Sequence, residues 1–238
     1  MAFIQMNIFS DSIGMMTGVN VIIPERAAEP PAVLYLLHGL SDDQSAWMRR
    51  TSVERYAQSK NLAVIMPTTH RGFYTDMANG YNYWTYVSKE LPEKMHSIFR
   101  LSSEREKTFA AGLSMGGYGA LKLGLRMPET FAAVAAFSSA ADITNRVSAS
   151  DEYKRIFGDE PGEENDLFAL AENLSPKDAP RIYMWCGTED FLLGANRRFS
   201  SHLKDLGFEI DYSESAGGHQ WERWDEQIEK AIGWFGIE

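Results

Sequence analysis

The chain has a single cysteine, Cys186, among its 238 residues. No intramolecular disulfide can form, so burial and hydrogen bonding must hold the fold. Long apolar runs are also missing: none approaches the roughly 20 residues that a membrane-spanning helix needs. Positive charge is scarce, with 23 Lys and Arg against 33 Asp and Glu, for a formal net charge of -10. That balance repels nucleic acid and anionic membrane at long range, which leaves a neutral small molecule as the easier partner. The opening MAFIQMNIFSDSIG has neither a basic start nor a continuous apolar stretch, so it does not read as a secretion signal, and a cytoplasmic location is the expectation.

Hydrophobic residues make up 44% of the chain and aromatics 12%, enough for one buried core. The expectation is a single domain over 1–238. Two β-leaning stretches, 2–9 and 19–23, open the chain as an antiparallel pair. After them, 32–39 (AVLYLLHG) is apolar without alternation and bounded by Pro31 and Gly39, the pattern of a strand buried on both faces of a parallel sheet. Further strands are expected at 62–67, 108–114, 131–139, 181–187 and 208–215. Helices are expected at 45–58, 92–100, 115–127, 194–206 and 221–235, and a long aromatic-rich loop at 68–90. The charged, irregular stretch at about 142–178, with a short helical pattern at 166–173, reads as a cap-like insertion. Strands alternating with helices for this long imply a mostly parallel sheet with helices on both faces, an α/β architecture whose ligands bind at the carboxyl ends of the strands.

Three residues after those strands carry chemistry. Gly112-Leu113-Ser114-Met115-Gly116 matches G-x-S-x-G, whose glycines permit the sharp strand-to-helix turn that exposes a serine hydroxyl in an α/β-hydrolase fold. A serine hydroxyl needs a base, and His219 follows the strand at 208–215 and the flexible Ala216-Gly217-Gly218. His96 and His202 fall inside expected helices, His70 precedes the nucleophile, and His38 ends the first central strand. The fold's order of nucleophile, acid and histidine selects Asp190, after RIYMWCGTE, with Asp142 as competitor and Glu189 read as a turn residue. Backbone N–H groups of Met115 and of Leu40, in His38-Gly39-Leu40, are placed to serve as an oxyanion hole.

The segments LLHGLSDDQSAWMRRTSVERYA, AGLSMGGYGALKL, CGTEDFLL and GGHQWERWDEQI together resemble the esterase D and tributyrin-esterase group of α/β-hydrolases, over most of the chain. That group is in turn similar to acetyl-xylan and feruloyl esterases and to S-formylglutathione hydrolases. The resemblance implies hydrolysis of short-chain acyl esters, acetyl to butyryl, through an acyl-enzyme and a triad falling on Ser114, Asp190 and His219, with no metal or organic cofactor. Formylglutathione hydrolases carry a cysteine shortly after the early Gly-Leu, where this chain has Ser41-Asp42-Asp43, so a thioesterase stands second. A non-catalytic hydrolase-fold binding protein stands third, since such a protein would be expected to lack one of the three side chains. Trp47, Tyr81, Tyr83, Trp84, Trp221 and Trp224 lie near the proposed catalytic elements and could wall a pocket. Trp221 and Trp224, three apart on one helix face, are read as packing on the sheet instead. Self-association, at apolar surface around the cap, is left open.

Overall fold

The computed structural model describes residues 1–147 and 150–237. Eight strands form one sheet in the order β1-β2-β4-β3-β5-β6-β7-β8. β1 (Ala2–Ser10) and β2 (Met15–Ile23) pair antiparallel along their whole length, with Ala2 opposite Ile23 and Ser10 opposite Met15. β2 also runs antiparallel to β4 (Leu62–Pro67), and every later pairing is parallel. β3 (Ala32–Leu37), β5 (Thr108–Leu113), β6 (Ala133–Phe137) and β7 (Arg181–Gly187) form the centre, and β8 (Ile210–Ser215) closes the far edge.

Period-two alternation divides the apolar residues of the central strands between two cores. Val33, Tyr35 and Leu37 of β3 join the core beneath α4 (Leu91–Ile98), α5 (Met115–Arg126) and α9 (Leu193–Asp205). Leu34 and Leu36 face the other core, under α1 (Ala46–Arg50), α2 (Val53–Gln58) and α10 (Trp221–Trp234). A strand sandwiched in this way needs apolar side chains at consecutive positions, which is why 32–37 shows no alternation. This is the α/β-hydrolase fold.

The helix expected over 45–58 is two. Thr51 takes an extended conformation, its hydroxyl donates to the Trp47 carbonyl (2.6 Å), and the Ser52 amide donates to Asp225 Oδ1 of α10 (2.9 Å). Those bonds satisfy groups that a continuous helix would have paired internally. The loop expected over 68–90 is likewise helical at its end, where α3 (Tyr83–Thr85) runs through a π-helical turn (Tyr86–Glu90) into α4. β2 begins four residues before the expected 19; its first half pairs with β1 but not with β4 and carries polar and exposed positions, which an apolar run does not reveal. Between β6 and β7 lie α6 (Thr144–Val147), α7 (Asp151–Phe157) and α8 (Leu167–Glu172); residues 148 and 149 of that stretch lie outside the described residues. No helix of the described residues is long and apolar enough to cross a membrane.

Candidate active site

Ser114 stands between the end of β5 and the start of α5 with φ 53° and ψ -114°, a conformation L-residues seldom adopt. Its neighbours over-determine it: the Ser114 amide donates to Phe137 O (2.8 Å), and the Ser114 carbonyl accepts from Ala140 N (3.0 Å) and Tyr118 N (3.1 Å). The two motif glycines are needed for packing. A Cβ on Gly112 would fall on the carbonyl of Gly116, and one on Gly116 would fall on the carbonyls of Leu37 and His38. Strand, helix and the end of β3 can therefore meet only if both positions lack a side chain. The Ser114 hydroxyl makes no capping bond to α5 and opens on a cavity of about 340 Å³.

His219 lines the same cavity. It follows β8 and the turn at Gly217 (φ 137°), and its Nδ1 lies 2.8 Å from Asp190 Oδ2. A carboxylate can only accept, so Nδ1 carries the proton and Nε2 presents a lone pair. No hydrogen bond joins Ser114 Oγ to His219 among the described residues. Asp190 is buried, and its other oxygen accepts from the Leu192 amide (2.8 Å). Burial pushes its carboxyl up, but the His219 imidazole and the Leu192 amide outweigh that and hold it below the usual carboxylate range. The Trp224 ring stands edge-on to the imidazole, 4.8 Å away at 86°, while its Nε1 donates to Ser138 Oγ (3.2 Å).

The competitors are occupied elsewhere. Asp142 is paired with Arg198 (2.6 Å) and Asn145 (2.8 Å), and Glu189 binds the Gly217 amide and Thr188, shaping the turn that precedes His219. His96 and His202 lie within α4 and α9. His38 is fully buried and built into the backbone: Nε2 accepts from the Thr69 amide (3.0 Å), which leaves Nδ1 to donate to Gly39 O (2.7 Å). Burial lowers its pKa to about 4, so it is neutral. With Tyr74 donating to the His38 carbonyl (2.9 Å) and Trp47 Nε1 to the Leu37 carbonyl (3.0 Å), the chain leaving β3 is fixed on several sides. That chain carries Leu40 into the cavity wall. No hydrogen bond engages the Leu40 or Met115 amide among the described residues, and the latter belongs to the first helical turn, whose N–H groups have no intrahelical acceptor.

Trp221 and Trp224 both pack on the sheet and line the cavity, so the reading of them as core alone is incomplete. Trp47 is buried against Phe137 and Trp221, and Tyr83 and Trp84 belong to the core beneath α5, so these three are not pocket walls; Tyr81 is exposed beside Tyr83. Residues that the sequence did not single out complete the cavity. Phe73 reaches in from a backbone of positive φ, Arg146 and Tyr153 from α6 and α7, and Phe191 from the position after Asp190. Adjacency to the acid was a usable signal for Phe191. Phe73 lies in the aromatic-rich connection after β4, and nothing local marks Arg146 and Tyr153, whose placement depends on how the segment between β6 and β7 packs. A larger cavity of about 490 Å³ adjoins through Ser41 and Asp42 and contains neither Ser114 nor His219.

The "Putative esterase" family model matches residues 10–235. An acetyl esterase of Caldicellulosiruptor saccharolyticus is 34% identical, over 98% of this chain and 98% of that one. Among solved structures, the substrate-bound fluorophosphonate-binding serine hydrolase F of Staphylococcus aureus is 34% identical with a TM-score of 0.92, covering 100% of this chain and 99% of that one. An S-formylglutathione hydrolase of Staphylococcus aureus, as apoenzyme, is 34% identical with a TM-score of 0.89, covering 98% of each chain.

Proposed function

The chain belongs to the Esterase family and is a carboxylic ester hydrolase; from that premise we propose that it is a serine esterase of short-chain acyl esters, with Ser114 as nucleophile, His219 as base and Asp190 as the orienting acid. The observation that carries this reading is the 2.8 Å contact from His219 Nδ1 to Asp190 Oδ2 in the cavity onto which Ser114 opens. With Nδ1 committed to the carboxylate, Nε2 is the nitrogen free to take the Ser114 proton as Oγ attacks the ester carbon. The amides of Leu40 and Met115 receive the oxyanion. Collapse of the tetrahedral intermediate breaks the bond to the alcohol, which leaves with the proton from Nε2. Water then attacks the acyl-enzyme by the same route, giving the acid and restoring Ser114.

Acetyl to butyryl groups fit a cavity of about 340 Å³, and the acetyl esterase relative supports a short acyl chain. Thioester hydrolysis is the second reading, favoured by the S-formylglutathione hydrolase among the similar structures; the same three residues would perform it. The test compares wild type and Ser114→Ala on p-nitrophenyl acetate, butyrate and octanoate and on S-formylglutathione. Serine-dependent turnover falling with acyl length is expected, with kcat reduced on the order of 10⁶-fold in the variant. Preference for the thioester would install the second reading, and unchanged ester turnover in Ser114→Ala would remove both.

A further inference from the structure

Two charged side chains on the cavity wall, Asp42 and Arg146, have no role in the ester chemistry. Arg146 is the one arginine that lines the cavity onto which Ser114 opens, among the described residues. Four other arginines are committed to carboxylates, Arg198 to Asp142 (2.6 Å), Arg197 to Glu214 (2.6 Å), Arg223 to Glu226 (2.9 Å) and Arg71 to Glu152, whereas Arg49 and Arg50 on the adjoining cavity have no ion pair among the described residues. Among the described residues Arg146 has no carboxylate within ion-pair distance. It is held instead by Tyr153, whose hydroxyl accepts from Arg146 Nη1 (3.3 Å) and whose ring lies 5.9 Å from the guanidinium carbon.

That anchor is firm. Tyr153 is buried, and its ring packs on Phe73 (5.1 Å between centroids) and Phe157 (6.2 Å). Phe73 in turn touches Tyr118 of α5, the helix that starts after Ser114. The guanidinium is thus tied through buried aromatic rings to the scaffold of the nucleophile. A guanidinium offers five donors in a fixed fork, and Tyr153 occupies one. Asp42, on the loop after Leu40, would repel an anion seated on its side of the cavity, so a charged ester has one favourable end.

We infer that Arg146 receives an anionic group, a carboxylate or phosphate, carried by the ester substrate. This rests on the serine-esterase reading and narrows its substrate class. The overall charge of -10 slows the approach of an anion, but a fork within the cavity acts at contact range, where bidentate oxyanion pairing is strong.

The test uses probes that differ in charge: para-acetoxybenzoate against its methyl ester, para-acetoxyphenyl phosphate against its dimethyl ester, and p-nitrophenyl hydrogen adipate against its methyl ester. The first and second separate carboxylate from phosphate on the alcohol side, and the third places the charge on the acyl side. Comparing each charged-to-neutral ratio between enzymes cancels intrinsic reactivity. Arg146→Gln is expected to lower that ratio about tenfold or more in at least one pair, chiefly through KM, with the neutral ester of each pair as internal reference and an unchanged circular dichroism spectrum as the control for folding. Arg146→Lys should restore part of it, since it keeps the charge without the fork. Ratios that stay the same in all three pairs, while Ser114-dependent hydrolysis of the neutral esters persists, would overturn the anion site and leave the esterase reading standing. Neutral esters hydrolysed equally well by Ser114→Ala would instead remove the reading on which it rests.

Discussion

His219 Nδ1 and Asp190 Oδ2 lie 2.8 Å apart although 29 positions separate them, one at the end of β8 and the other at the end of β7. The carboxylate is fully enclosed while the imidazole keeps 22% of its side chain exposed. One partner is therefore shielded from water and held ionised, and the other remains open to the cavity.

Replacing Asp190 by Asn should keep the fold and lose the tautomer. The amide can donate to Nδ1, which moves the imidazole proton to Nε2 and removes the base. A fall in kcat of about 10⁴-fold at neutral pH is expected, measured on p-nitrophenyl acetate beside an unchanged circular dichroism spectrum. A loss smaller than about tenfold would mean that the carboxylate does not set the tautomer.

Trp224→Phe keeps an aromatic edge against His219 but removes the Nε1 bond to buried Ser138. Because Ser138 Oγ is left without that donor, stability should fall by about 1 kcal/mol. Ser138 also helps hold the Asp190 carboxyl down, so kcat should drop several-fold while KM changes little. Urea titration and steady-state kinetics read the two effects separately.

Gly116→Ala tests the turn. The new Cβ meets backbone carbonyls of Leu37 and His38, which cannot rotate away as a side chain could. Destabilisation of about 1–3 kcal/mol or more is expected, lowering the melting temperature by roughly 2–4 °C per kcal/mol for a chain of this size. Activity per folded molecule should also fall, since the chain leaving β3 carries the Leu40 amide.

Acid should loosen the hairpin of β1 and β2. Glu90 accepts from Ser10 Oγ (2.6 Å), Asp11 N (2.8 Å) and Ser12 N (3.0 Å), tying the hairpin turn to the π-helical segment before α4. Burial pushes its carboxyl up, but those donors outweigh it and hold the pKa at about 2, against an ordinary 4.5. A depressed carboxyl stabilises the fold fully above 4.5 and loses that contribution as pH falls towards 2. Glu90→Gln should therefore be less stable than wild type at pH 7 and show a flatter decline between pH 4.5 and 2, read by thermal melts across that range.

The triad candidates were legible in the sequence because each follows a strand whose apolar run is unmistakable, and because chain order restricts the acid and the histidine. Local patterning also carried the sheet: consecutive apolar residues at 32–37, 62–67 and 108–113 have no other use than burial on both faces. Where side-chain hydrogen bonds compete with the helix, as at Thr51 and Ser52, periodicity alone joined what the structure separates.

The amino-acid sequence by itself determined where the candidates stand along the chain, a serine between glycines after β5, an acid after β7 and a histidine after β8, positions read from short-range sterics, periodicity and chain order. Only the tertiary structure decided what surrounds them. Trp221 and Trp224 become cavity walls as well as core, His38 becomes a neutral brace, and Arg146 arrives beside Phe73 through Tyr153, because contacts between segments far apart in the chain depend on how whole elements pack and leave no trace in the spacing of residues along any one of them.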